Sequence, residues 1–250
     1  MTSKKSKRTK NFELDINIKS QNIDQQRKKI HHKDLIQFQP LTPTQSRLFE
    51  TFTTYKDKQL ALIGSAGTGK TFCAFFLALD ELLQNESYDK IIIVRSAVPT
   101  RDCGFLPGDL DEKSQVYELP YYGICDELFK FSKSYDTLKR LNKVEFMTSA
   151  FLRGTTFNNC LIIVDEIQNM NFQEIDTVLS RVGKNSRIVL VGDVKQNDLI
   201  KSKNDQSGFS KMYDIIVNMD CFEVIEFNHD DIVRSGFVKE YIITKEKLKY

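Results

Sequence analysis

The chain has 250 residues, 40% of them hydrophobic, and a net charge of +2, which allows one substantial core and leaves too little for a second full domain. Five cysteines (Cys73, Cys103, Cys125, Cys160 and Cys221), odd in number and without a CxxC pair, argue against a disulfide framework or zinc site. No apolar run reaches bilayer-spanning length, and the basic start Met1 to Lys10 is not followed by a signal-peptide apolar stretch, so a cytoplasmic protein with no membrane partner is expected.

Residues 1–40 hold ten Lys/Arg against four Asp/Glu, a +6 segment on a −4 body. Their scattered apolar residues predict a flexible basic tail, either a solvated aid to solubility or an electrostatic contact for nucleic acid. His31 and His32 lack a metal-spaced partner and receive no role. The body, residues 41–250, opens at Leu41-Thr42-Pro43-Thr44-Gln45, with Thr42 as N-cap, Pro43 as first helical residue and Gln45 as reciprocal partner of a capping box, predicting a helix to about Tyr55.

Short apolar runs then recur at 59–63, 90–94, 144–147, 160–164, 187–191 and 222–227. They read as buried strands of a mostly parallel sheet. Helical spacing at 71–83 and 174–182 between them predicts a single α/β domain with helices on both sheet faces. The stretch Pro99 to Pro120, with its Gly, Pro and charges, is expected to be a long functional loop.

After the first strand comes Gly64-Ser65-Ala66-Gly67-Thr68-Gly69-Lys70-Thr71, opening the next helix. A strand, a glycine-rich turn and a helix N-terminus in that order form a phosphate-binding P-loop: backbone N–H groups turn inward on phosphate oxygens and the helix field adds to them. Lys70 is expected to reach the β and γ phosphates and Thr71 to offer its hydroxyl to Mg²⁺. The strand Leu161 to Val164 ends in Asp165-Glu166, where Asp165 suits the magnesium shell through water and Glu166 the base that orients or deprotonates an attacking water. The strand Ile188 to Val191 leads into Gly192-Asp193-Val194-Lys195-Gln196, with Gln196 placed to sense the γ phosphate. The plainer alternative is a turn needing Gly192 for backbone freedom and Asp193 as a helix cap.

Gln45 has two readings of equal weight, an adenine-edge reader or the capping-box residue. Arg234, in Asp231-Ile232-Val233-Arg234, is an arginine finger or a surface ion pair. Arg95, Arg101, Lys113 and Arg153 are candidate contacts for nucleic-acid phosphates, with ordinary salt bridges as the alternative.

Several segments together resemble the PhoH-like family of P-loop ATPases, related to the core of superfamily one helicases. They are Gly104-Phe105-Leu106-Pro107-Gly108-Asp109-Leu110, Phe151-Leu152-Arg153-Gly154-Thr155-Thr156-Phe157, Val164-Asp165-Glu166-Ile167-Gln168-Asn169, Gly192-Asp193-x2-Gln196 and Asp231-Ile232-Val233-Arg234, and the likeness runs from about Leu41 to Tyr241. Ser96 and Gly123 depart from the family pattern, which usually has proline and aspartate there. The resemblance implies a RecA-like domain that uses ATP and Mg²⁺ and acts with single-stranded RNA or DNA in helicase or translocase fashion. It also admits a ring-shaped homo-oligomer, a hexamer in one form, in which Arg234 reaches a neighbour's ATP.

Other classes fit less well. A GTPase would need an Asn-Lys-x-Asp guanine reader after the acid strand, and Asn142-Lys143-Val144-Glu145 precedes it and ends in Glu. A small-molecule kinase would not need Glu166 beside Asp165. A module in which ATP gates binding to nucleic acid or protein without hydrolysis keeps every motif and is separable only by phosphate release.

Overall fold

The computed structural model describes residues 29–85, 87–96, 110–152, 154–193 and 208–248. Six apolar segments form strands: β1 (Gln59–Gly64), β2 (Lys90–Arg95), β3 (Val144–Thr148), β4 (Cys160–Asp165), β5 (Arg187–Gly192) and β6 (Phe222–Phe227). All pair in parallel, in the order β3-β2-β4-β5-β1-β6. Every expected strand is present, and the first five run one residue further than the apolar pattern, into Gly64, Arg95, Thr148, Asp165 and Gly192. Those C-terminal ends are where an open α/β sheet builds its ligand crevice.

Burial on both faces explains why the strands read as continuous apolar runs. Leu60, Leu62, Ile93, Ile163, Val189 and Val191 enter one core, and Ala61, Ile63, Ile92, Ile162, Ile188 and Leu190 the other. The register sets Leu60 beside Val189, Val189 beside Ile163 and Ile163 beside Ile93, so residues of one face lie abreast.

The first core is covered by α1 (Pro43–Thr54), α2 (Lys70–Asn85), α3 (Leu110–Leu128) and α4 (Ser134–Arg140), the second by α5 (Phe172–Leu179) and α6 (Gly208–Ile216). The last helix, α7, spans Gly236–Lys247. Thr42 caps α1 by accepting from the Gln45 N–H at 3.2 Å, but the Gln45 side chain accepts from Leu41 N–H at 2.8 Å, so the reciprocal half of the expected box falls one residue earlier. A true capping box starts α5, between Asn171 and Glu174. It places the helix start at Phe172, before the apolar spacing becomes visible, and the helix ends at Leu179 because Val182 is taken by a β-bridge to Phe157.

The long-loop expectation for residues 99–120 is corrected from Leu110 onward. Pro120 lies inside α3, although proline removes one helical hydrogen bond and crowds the preceding turn. Tertiary burial overrides that penalty: Tyr121, Cys125 and Leu128, spaced as one helical stripe, are all completely buried.

The boundary expected at residue 40 also moves. Leu35 is buried and bridges Phe129, Ile36 N–H donates to Leu128 C=O at 2.8 Å, and Phe38 packs edge-on against Phe72 and Phe76. His32, expected to be idle, has Nε2 at 2.6 Å from Asp80 Oδ1 on α2. The packed body therefore begins near Ile30, and residues 1–28 of the expected tail lie outside the described residues. Among the described residues no helix is long and apolar enough to cross a membrane.

Candidate nucleotide site

β1 delivers the chain into the P-loop at Gly64, where φ is +142° and a Cβ would stand 1.9 Å from the Phe227 carbonyl oxygen of β6. Only glycine lets the two strand ends approach so closely. Lys70 opens α2 and turns back over the loop, its Nζ donating to the carbonyls of Gly64 (2.8 Å) and Ser65 (2.7 Å). Thr68 Oγ1 donates to Ser65 C=O at 3.0 Å, and Gln45 Nε2 donates to Thr68 C=O at 3.0 Å. The loop is thus braced by its own lysine and by α1. Burial lowers the Lys70 pKa, against the pull of Asp193, Glu166, Asp165 and Glu246.

Ala66, Gly67, Thr68, Gly69, Lys70 and Thr71 line a cavity of about 560 Å³, whose other walls include Gln45, Arg95, Asp165, Glu166, Asp193 and Arg234. Gly64 and Ser65, expected to contact the nucleotide, stand behind the loop instead, on a second cavity, and Ser65 Oγ donates to Glu246 of α7 at 3.4 Å.

β4 ends on Asp165, which is buried. Its Oδ1 accepts from Thr71 Oγ1 at 2.9 Å and its Oδ2 from Tyr121 Oη at 2.7 Å. Burial, then the Asp165 charge, push the Tyr121 hydroxyl pKa well up. Glu166 takes the left-handed conformation, φ 55°, which turns it away from the strand line into a short 3-10 turn, Ile167–Asn169. Its Oε1 lies 3.5 Å from Arg95 Nη2, and its Oε2 accepts from Gln168 Nε2. Burial raises the Glu166 pKa, helped by the Asp165 charge and opposed by Arg95, Gln168 and Lys70.

Two residues here differ from their sequence reading. Arg95, a candidate nucleic-acid contact, faces the nucleotide cavity, pairs with Glu166 and donates to the Tyr117 carbonyl at 3.3 Å. Gly192 needs no unusual backbone angle; a Cβ there would be 2.4 Å from Ile167 Cγ1 and 2.9 Å from Gln168 Oε1, so glycine is required for space. The Asp193 N–H donates to Gln168 Oε1 at 2.9 Å, joining the ends of β5 and β4, and the helix that Asp193 is expected to cap lies outside the described residues.

Gln45 is buried in the cavity wall, with its carboxamide shared between Leu41 and Thr68. Arg234 is exposed beside the P-loop of its own chain: Val233 N–H donates to Gly67 C=O at 3.1 Å, and a Cβ on Gly67 would lie 2.9 Å from Arg234 Cγ. Gln196, Arg101, Arg153, the Lys113 side chain and residues 104–109 of the resemblance lie outside the described residues.

Sequence reasoning missed Tyr121 and Gln168 as site residues. Tyr121 belongs to the Tyr121-Cys125-Leu128 stripe, whose spacing was the available signal for its helix, but nothing local announces its reach to Asp165.

The hydroxyl of Thr71 and the carboxylate of Asp165 form a pair of hard oxygen donors, the set Mg²⁺ prefers. No group of three or more His, Cys, Asp or Glu able to hold a metal occurs among the described residues. Mg²⁺ is commonly held by one or two protein oxygens together with substrate phosphates.

With the phosphate loop on β1, the acid pair on β4 and β5 between them, the chain is a parallel α/β core of the P-loop nucleotide-binding type. The family profile described as PhoH-like protein matches residues 37–245, and the chain belongs to the PhoH-like family. It is 36% identical over 186 residues to a PhoH-like protein of Synechocystis, covering 74% of this chain and 56% of the relative. It is 34% identical to one of Bacillus subtilis, covering 74% and 57%, and 33% identical to protein PhoH of Escherichia coli K12, covering 72% and 51%. The chain thus spans about half the length of these curated relatives. Among solved structures, it resembles the helicase domain of Hef from Pyrococcus furiosus at a TM-score of 0.44 and 15% identity, covering 75% of this chain and 39% of that one. The Pif1 helicase from Candida albicans gives 0.41 and 15%, covering 85% and 44%.

Proposed function

We infer that this protein hydrolyses ATP with Mg²⁺ and couples hydrolysis to a single strand of nucleic acid. The observation that carries the hydrolytic half is the 2.9 Å contact between Thr71 Oγ1 and Asp165 Oδ1, with Glu166 next in the chain and in the same cavity. Thr71 and Asp165 would hold the metal, which would supply positive charge against the negative charge of the phosphates.

Lys70, already at the loop, supplies the cation for the β and γ phosphates, and the backbone N–H groups of residues 66–71 cradle them. Glu166, held by Arg95 and Gln168, orients the attacking water and accepts its proton; its raised pKa brings it closer to the working range of a general base. Gln45, in the wall of the same cavity, is assigned to the base edge, and Gln196 to sensing the γ phosphate. Arg234 stands beside its own phosphate loop, which favours action in cis over action on a neighbour in a ring. The nucleic-acid half rests on membership of the PhoH-like family and on the basic sequence of residues 1–40.

Phosphate release is the test, measured with and without single-stranded RNA or DNA, for the wild type and Glu166→Gln. The expected result is Mg²⁺-dependent release, raised by a strand and lost in the variant and in EDTA. A wild type no faster than Glu166→Gln under every condition would leave the non-catalytic gated module in its place. Steep loss of strand stimulation with salt is expected from phosphate contacts. Mass in solution with ATP and Mg²⁺ tests the oligomer, and mixing Arg234→Ala with Lys70→Ala subunits should give no rescue if Arg234 acts in cis.

A further inference from the structure

Asp165 is gripped on both oxygens. Thr71 Oγ1 lies 2.9 Å from Oδ1 and Tyr121 Oη 2.7 Å from Oδ2. A carboxylate swings about its terminal torsion with nearly two-fold freedom unless both oxygens are engaged. Here one of the two grips comes from a phenol that cannot move away. The Tyr121 side chain is completely buried, with its ring edge-on to Phe75 at 5.9 Å, stacked on Tyr135 at 6.4 Å and tilted against Phe146 at 6.0 Å.

A phenylalanine would fill the same space and continue the same apolar stripe. The hydroxyl adds only a polar atom that must be desolvated, and its partner is the oxygen of Asp165 turned away from Thr71. The same helix reaches the second acid as well: Arg95 donates to the Tyr117 carbonyl and pairs with Glu166, while Pro120 and Gly123 line the cavity. The helix that breaks the proline rule is therefore the wall against which both carboxylates are set.

We propose that Tyr121 is a positioning residue of the magnesium site: its hydroxyl holds Oδ2 of Asp165 so that Oδ1 faces Thr71 as the metal-side oxygen. This rests on the Mg²⁺–ATP reading given above. Partners that orient metal-ligating carboxylates typically change metal affinity by about ten- to hundred-fold when removed. Tyr121→Phe deletes the hydroxyl and keeps the ring.

The experiment is calorimetric binding of ADP to the full chain, in EDTA and at a series of Mg²⁺ concentrations. For Tyr121→Phe the expected ADP affinity in EDTA is within about two-fold of wild type, and the gain conferred by Mg²⁺ falls by about ten-fold or more. In an Asp165→Asn background, Tyr121→Phe should change the Mg²⁺ gain no further, since the two act as one unit. Phosphate release should show the Mg²⁺ concentration for half-maximal rate rising while the rate at saturating Mg²⁺ recovers.

An unchanged Mg²⁺ gain in Tyr121→Phe would overturn the assignment. So would a fall in EDTA as large as the fall in Mg²⁺, or loss of the fold, since either makes Tyr121 a packing residue. If wild-type affinity is itself indifferent to Mg²⁺, the Mg²⁺–ATP reading fails and this assignment with it. The wild-type titration therefore separates the two failures.

Discussion

The two faces of the sheet are finished differently. On one, α1 to α4, the segment before α1 and β3 bring rings: Phe38, Phe49, Phe72 and Phe76 form one aromatic group, and Phe75, Tyr121, Tyr135 and Phe146 another. On the other, α5 and α6, of eight and nine residues, close a core led by Ile, Val, Leu and Met. Gln45, Lys70, Thr71 and Tyr121 all come from helices of the first face, whereas among the described residues the second reaches the acids through the turn that follows β4. The aromatic face holds the geometry of the candidate nucleotide site and the aliphatic face holds the sheet. Buried polar groups mark the same division: Arg187, completely enclosed, donates to the Phe52, Tyr55 and Lys58 carbonyls and lies over the Phe52 ring at 4.2 Å, fastening α1 to β5.

That asymmetry can be broken by experiment. Lys70→Ala should have the largest effect, lowering ATP hydrolysis by about two to three orders of magnitude, the scale of losing one preorganised charge in a reacting site. Matched truncations come next. Phe75→Ala should cost about 3–5 kcal/mol and Ile175→Ala about 2–5 kcal/mol in urea unfolding. Only the first should also weaken Mg²⁺–ADP binding, because Phe75 packs on Tyr121; equal binding losses would erase the distinction between the faces.

Arg187→Met should destabilise the fold by about 3 kcal/mol, since one buried and two part-buried carbonyls lose a donor, with ADP affinity preserved. The smallest change sharpens the comparison. Gln168→Ala cuts the link between Asp193 and Glu166, and should slow hydrolysis by about ten-fold without altering ADP affinity. A fall in affinity would place Gln168 in the binding machinery.

Legibility in the sequence follows the same line. Runs such as Leu161 to Val164 announce themselves because both faces bury them, and a glycine-rich turn between strand and helix names its chemistry unaided. Thr71 and Asp165 could be expected to share a metal from motif order alone. Nothing local could show that Tyr121 meets Asp165 across 44 positions, or that Arg95 turns to Glu166 and not to a nucleic-acid strand. α3 was hidden by Pro120, whose local penalty is outweighed by a buried stripe visible only once the sheet exists. Gly192 was legible as a requirement and not in its cause, for clearance against Ile167 is a tertiary fact.

The place of β1 in the sheet bears on how the protein is made. Its hydrogen-bonded neighbours are β5 and β6, with Leu60 set against Val189 and Glu223, so the strand that carries the phosphate loop has no partner until far later residues exist. At about 5–20 residues per second of synthesis, the nascent loop waits several seconds with its apolar strand unpaired. Gly64 cannot take its close seat on the Phe227 carbonyl before β6 emerges. The part of the molecule written first among its motifs is the last to be finished.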